Sequence, residues 1–199
     1  MKIEISKEIM ILKSNNVIPA LLNDQFLLTS NIIENLEDID RTMYHVSPMG
    51  THIKILDNYE TTIEISIPNI RISSKDSNKI IAFYNALVDK KDKLKVSEFT
   101  FGMLVHIEKD NIMNEVTSNL TKLDSAELTS LGVERGKHYL DMYECSDNKL
   151  HMNYKQSETF DTNTEIKNLN LDLVKAIKDG KEFVLNFIKK DLNYELQSL

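Results

Sequence analysis

Apolar positions along the chain change period, from two in some stretches to three or four in others. Ile53 and Ile55 alternate with polar neighbours over residues 52–56, and Ile63, Ile65 and Ile67 do so over residues 61–67. Both patterns predict half-buried strands. Four further stretches share a common beginning: Ile3-Glu4-Ile5-Ser6, Ile70-Arg71-Ile72-Ser73, Leu120-Thr121-Lys122-Leu123-Asp124 and Ile166-Lys167-Asn168-Leu169-Asn170. Each ends on Ser, Asp or Asn, whose short side-chain oxygen can accept a free N–H of a helix's first turn.

A helical pattern follows each stretch. Ile9, Met10, Leu12 and Lys13 follow Ser6. Ile80, Ile81, Tyr84, Leu87 and Val88 follow Ser73, in a helix predicted to start near Asp76 or Ser77 and to end in Lys90 and Lys91. Glu127, Leu128 and Leu131 follow Asp124, with capping-box spacing between Asp124 and Glu127 and Gly132 as the stop. Leu173, Val174 and Ile177 follow Asn170, with Gly180 as the stop. Each helix is predicted to lead into two strands. These are 18–22 with 25–29 about Asn23-Asp24, and 94–99 with 103–107 about Gly102. Then come 139–144 with 150–154 about Ser146-Asp147-Asn148, and 183–188 with 194–196 about Lys189-Lys190-Asp191. The alternation of Phe183, Leu185 and Phe187 favours a strand over a longer helix.

This repeat predicts an α+β fold with antiparallel sheets and short helices in two similar halves, residues 1–110 and 111–199. The polar stretch 109–119 is the connector, and residues 32–49 have no counterpart in the scheme. An ordinary two-layer α+β domain without a true repeat is the alternative.

Composition narrows the classes of function. Hydrophobic residues make up 41% of the 199 residues, enough for a core, and no apolar run is long enough for a membrane span. Cys145 is the one cysteine, which excludes an intrachain disulfide and fits a reducing cytoplasm. The net charge is -7, and only Arg41, Arg71 and Arg135 among the 24 basic residues are arginine. Bidentate reading of bases favours arginine, so sequence-specific DNA recognition is not expected, whereas lysines can form a local positive surface.

Catalytic motifs are missing: there is no phosphate-cradling glycine loop, and Cys145 reads as a small strand residue rather than a nucleophile. His45 and His52 lie seven apart across a Pro48–Gly50 turn, with Asp57 and Glu60 beyond, but read as surface histidines before metal ligands. His106 and His151 fit strand alternation, and Asp38 with Asp40 reads as solvated loop charge. No enzyme, metal or cofactor is expected.

Paired strand–helix–hairpin units, two pairs per chain, resemble the DNA sliding clamps, the polymerase processivity factors that include proliferating cell nuclear antigen and phage clamps. The local likeness is strongest from Leu169-Asn170-Leu171-Asp172-Leu173-Val174 through Asp179-Gly180 into Phe183-Val184-Leu185, and over residues 120–131. The resemblance implies two clamp-type domains with sheets outside and helices inside. They would close as a homotrimeric ring by edge-strand pairing around duplex DNA that is not read. It implies DNA-facing cations Lys7, Lys13, Lys79, Lys90, Arg135, Lys137, Lys175 and Lys178, with Lys175 and Lys178 on one helix face. The run Lys90-Lys91-Lys93-Lys95 is either a solvated helix end or part of that rim. Partners would be DNA polymerase and clamp-loader peptides, with Ile112, Met113 and Val116 as apolar contacts. The runner-up is a small non-enzymatic protein-binding regulator or inhibitor of the kind a phage or plasmid encodes. On the clamp reading, reversing Lys79, Lys175 and Lys178 to glutamate abolishes stimulation of processive synthesis and leaves folding intact, as primer-extension and unfolding assays would check.

Overall fold

A computed structural model describes residues 2–17, 24–33, 39, 42–47, 50–55, 58–108, 130–144 and 149–192. The fold is α+β. Among the described residues nine strands form the sheet: β1 (Lys2–Ser14), β2 (Thr42–Ser47), β3 (Gly50–Ile55), β4 (Thr62–Ser66), β5 (Asn69–Ser74), β6 (Val96–Glu108), β7 (Ser130–Arg135), β8 (His138–Glu144) and β9 (Lys149–Thr159). Their order is β2-β3-β4-β5-β1-β6-β9-β8-β7. The described α-helices are α1 (Asp24–Thr29), α2 (Ser77–Lys90) and α3 (Leu173–Asn186). By contacts the chain divides into two units: Lys7–Phe101 with Ser157–Val174, and Met1–Ser6 with Gly102–Gln156 and Lys175–Leu199.

In the Lys7–Phe101 unit, antiparallel register aligns buried apolar residues in rows across strands. Met10 faces Ile72, Ile72 faces Ile63 and Ile63 faces Ile53; Leu12 faces Ile70, which faces Ile65. All seven are at most 1% exposed. Each such side chain contributes on the order of 1.5–3 kcal/mol relative to exposure. Helix α2 covers this face through Ile80, Phe83, Tyr84, Ala86 and Leu87 and packs on β5. Asp76 caps α2, its carboxylate accepting from the Asn78 N–H at 2.9 Å. Phe26 of α1 meets Phe83 edge to face, with ring centres 6.1 Å apart.

In the Gly102–Gln156 unit, Met103, Val105, Ile107, Leu140, Met142, Leu150, Met152 and Tyr154 make the buried face. Helix α3 buries Ala176, Ile177 and Val184, and the π-helical turn Phe187–Asp191 continues it with buried Phe187 and Ile188.

Strands β3, β4 and β5, the capped helix α2 and the β8–β9 hairpin match the sequence expectations. Several elements differ. Residues 6–13 belong to strand β1, because Glu8, Met10, Leu12 and Ser14 are buried at period two while Lys13 is exposed. The segment expected as a hairpin about Gly102 is the single strand β6. Gly102 serves close approach there: an added Cβ would sit 3.0 Å from the Tyr154 carbonyl oxygen. Residues 25–29 are helical, and Ile166–Asn168 forms a 3-10 turn rather than a strand. Helix α3 runs through Gly180 and absorbs Phe183 and Leu185, because Ile177, Val184, Phe187 and Ile188 form a helical stripe. Gly132 lies in strand β7 rather than ending a helix. The strand expected at 18–22, the helix start at 120–128, the connector, the turn 146–148, the strand 194–196, Cys145, Asp38, Asp40 and Asp57 lie outside the described residues.

Gly50 opens β3 at φ +157, and an added Cβ would fall 2.0 Å from the Ile65 carbonyl oxygen, a backbone atom that cannot yield. Gly50→Ala is therefore expected to cost about 2–3 kcal/mol, and Gly102→Ala about 1 kcal/mol. Urea denaturation checks the order of the two; equal costs would contradict this packing.

Candidate nucleic-acid interface

The rows that bury isoleucine on one face of the Lys7–Phe101 unit place polar residues on the other. Ile9, Ser73, Thr62 and Lys54 follow one another across β1, β5, β4 and β3. In the next row Ile11, Arg71, Glu64, His52 and His45 follow one another from β1 to β2. Lys7 and Lys13 flank these rows on β1, and Lys75 follows β5. Glu60 gathers the lysines. Lys75 Nζ lies 2.5 Å from its Oε1, and that hydrogen bond, with the charges of Lys75, Lys7 and Lys54, holds the Glu60 carboxyl below its usual range. Arg71 Nη1 reaches Glu64 Oε2 at 3.3 Å, and Lys13 lies 3.9 Å from Glu98. Among the described residues of this face, Lys7, Lys13, Lys54, Arg71 and Lys75 outnumber Glu60, Glu64 and Glu98, in a chain of net charge -7.

Within the Lys7–Phe101 unit, Lys79 and Lys90 do not share the face of Lys7 and Lys13. Lys79 is 6% exposed; its Nζ donates to the Ile32 carbonyl at 3.1 Å and lies 5.9 Å from the centre of the Tyr59 ring. It belongs to the interior, because helical spacing turns it toward the sheet with Phe83 and Ala86. Charge reversal there would disturb folding. Lys90 ends α2, donating to Thr29 Oγ1 and lying 5.7 Å from the Phe26 ring centre. It sits on the helix-covered side of the sheet, opposite Lys7 and Lys13. Lys90, Lys91 and Lys93 line a cavity of about 270 Å³ with Asn16, Asp92 and Leu94.

In the Gly102–Gln156 unit, Arg135 is engaged by both carboxylate oxygens of Asp191, at 2.7 and 3.0 Å, which raises the guanidinium pKa further. It ties β7 to the π-helical turn instead of presenting a free charge. Lys137 is exposed in the β7–β8 turn. Lys175 and Lys178 are both exposed on α3, and Lys178 lies 3.9 Å from Glu182. Ile112, Met113 and Val116 lie outside the described residues.

Sequence reasoning missed a row of rings on this unit's polar face. The Ser6 hydroxyl lies 3.4 Å from His106 Nε2, the His106 and His151 ring centres are 4.2 Å apart, and Tyr143 stacks on His151 at 5.6 Å. Lys155 lies 4.9 Å over Tyr139. Alternation in β6, β8 and β9 signals each of these residues separately, but only register brings them together.

On the buried face, His138 Nδ1 lies 2.7 Å from the Tyr154 hydroxyl, which donates to Gln156 Oε1 at 2.8 Å, and the imidazole stacks on Phe183 at 4.6 Å. Burial pushes the Tyr154 phenol up.

No family model matches the chain. No curated protein matches it either. Among solved structures, TBP of Methanococcus jannaschii aligns over 96% of this chain and 99% of that one, at 11% identity and a TM-score of 0.40. At that score the likeness assigns neither fold nor function. No helix among the described residues is long and apolar enough to cross a membrane.

Burial, and next the charge of Lys137, lower the His138 pKa, and Asp179 only partly opposes them. A histidine whose folded pKa lies below its unfolded value of about 6.5 stabilises the fold above that pH and loses the contribution as pH falls toward the folded pKa. The stability difference between wild type and His138→Phe is therefore expected to shift in favour of the variant from pH 7.5 to pH 5.5. Urea titrations at the two pH values measure it; a pH-independent difference would contradict the assignment.

Proposed function

We propose that this chain is a non-enzymatic nucleic-acid-binding protein that engages duplex DNA through its phosphates without reading sequence. The observation that carries the reading is the cation cluster Lys7, Lys54 and Lys75 about Glu60, with Arg71 and Lys13 beside it, on the polar sheet face of an acidic chain. Lysine charges spread over a sheet face attract a phosphate backbone while offering no fixed fork to a base edge.

A sliding clamp is the form in which such binding would act: a cytoplasmic homotrimeric ring that tethers a DNA polymerase and receives polymerase and clamp-loader peptides, in two clamp-type domains. The sheet face then takes over the role that the resemblance gave to the helices. A protein-binding regulator is the second reading. It is favoured by edge strand β2, whose Met43, Tyr44 and Val46 are 59%, 40% and 71% exposed and which carries no lysine, acid or proline to deter strand addition.

The triple variant Lys7→Glu, Lys54→Glu and Lys75→Glu is expected to lose at least about tenfold affinity for mixed-sequence duplex. The slope of log affinity against log salt should fall by about 2–3. Lys175→Glu with Lys178→Glu should change both little. Fluorescence anisotropy across a salt series measures this, and an unchanged slope in the triple variant would remove the proposal's support.

A further inference from the structure

The row that crosses the polar face of the Lys7–Phe101 unit brings together four groups from four strands. His45 lies directly opposite His52 in the β2–β3 ladder, His52 opposite Glu64 in β3–β4, and Glu64 opposite Arg71 in β4–β5. Their contacts form a chain. His52 Nδ1 lies 3.0 Å from Glu64 Oε1, and the other Glu64 oxygen lies 3.3 Å from Arg71 Nη1. Arg71 thus holds the carboxylate, and the carboxylate accepts the Nδ1–H of His52. A neutral His52 so oriented keeps the lone pair of Nε2 for a ligand. A carboxylate behind an imidazole is the arrangement that orients histidines on metal ions.

The second imidazole stands beside the first. His45 is exposed on edge strand β2, and His52 keeps 44% of its side chain exposed. Directly opposed residues of an antiparallel pair have Cβ atoms roughly 4.5–5.5 Å apart. Two imidazoles at that separation can turn to share one ion at nitrogen–metal distances of about 2.0–2.1 Å. Glu60 is not a competing ligand, since Lys75 occupies it. Among the described residues no group of three or more His, Cys, Asp or Glu converges on a point, so two histidines are the ligands that the described residues offer here.

We propose that His45 and His52 form a two-histidine site for a divalent transition-metal ion that favours imidazole, such as zinc, nickel or copper, with Glu64 and Arg71 as positioning residues. Calcium and magnesium, which demand oxygen ligands, are not held there. The site shares Arg71 with the proposed phosphate-binding face, and metal binding is measured without DNA.

Calorimetric titration of the full chain with nickel(II) or zinc(II) at neutral pH should give one ion per chain. His45→Ala and His52→Ala should each weaken binding by more than about tenfold, and Glu64→Gln, which keeps the shape of the side chain, by about tenfold. His106→Ala, a substitution in the Gly102–Gln156 unit, should leave the affinity unchanged. With copper(II), electron paramagnetic resonance should show two nitrogen ligands in wild type and one in either alanine variant. His45 is exposed, so His45→Ala should keep the wild-type melting temperature and report on the site alone. Binding that survives in both alanine variants, or a copper spectrum with fewer than two nitrogens in wild type, overturns the proposal.

Discussion

The rest of the Lys7–Phe101 unit depends on the register locked by its isoleucine rows. Met10, Ile72, Ile63 and Ile53 are buried in line, as are Leu12, Ile70 and Ile65. A slip of one residue in any of these strands would turn its whole set of buried side chains to solvent. The cost of exposing several isoleucines at once excludes the alternative pairings. The same lock decides what faces outward: Lys54, Arg71, Glu64 and His52 reach one surface because their neighbours must reach the other.

Hydrogen bonds and charges then arrange that surface without contributing much to stability. Ion pairs such as Lys75 with Glu60 and Arg71 with Glu64 join side chains that remain in contact with solvent. Exposed pairs are worth little to folding, so these charges do not hold the unit together. Arg135 with Asp191 differs in purpose, since it fastens β7 to the turn after α3 and leaves no free charge.

The legible elements were those in which independent signals agree. Asp76 as a cap, the apolar stripe behind it and the lysines at its end all mark α2, and the structure places the cap at Asp76. In β3 and β4 the alternation of isoleucine is clean because one face of each is buried. Where signals conflicted, tertiary packing decided. Ile9, Met10 and Leu12 suit a helix or a strand, and burial in the sheet makes β1. Phe183, Leu185 and Phe187 alternate, yet Val184 and Ile188 complete a helical stripe. Strand β2 carries no period because residues 43–46 are exposed on both faces. The candidate interface was half legible: Lys7 and Lys13 were read as cations, but on a helix. Lys54, Arg71 and Lys75 join them only through register between strands distant in sequence.

Lysine footprinting tests the central claim most directly. The chain would be reductively methylated with and without a duplex of mixed sequence, and the modified peptides quantified by mass spectrometry. The account predicts that DNA protects Lys7, Lys54 and Lys75 while Lys175 and Lys178 react as in the free protein. Protection of Lys90, Lys175 and Lys178 with none on the sheet face would contradict it.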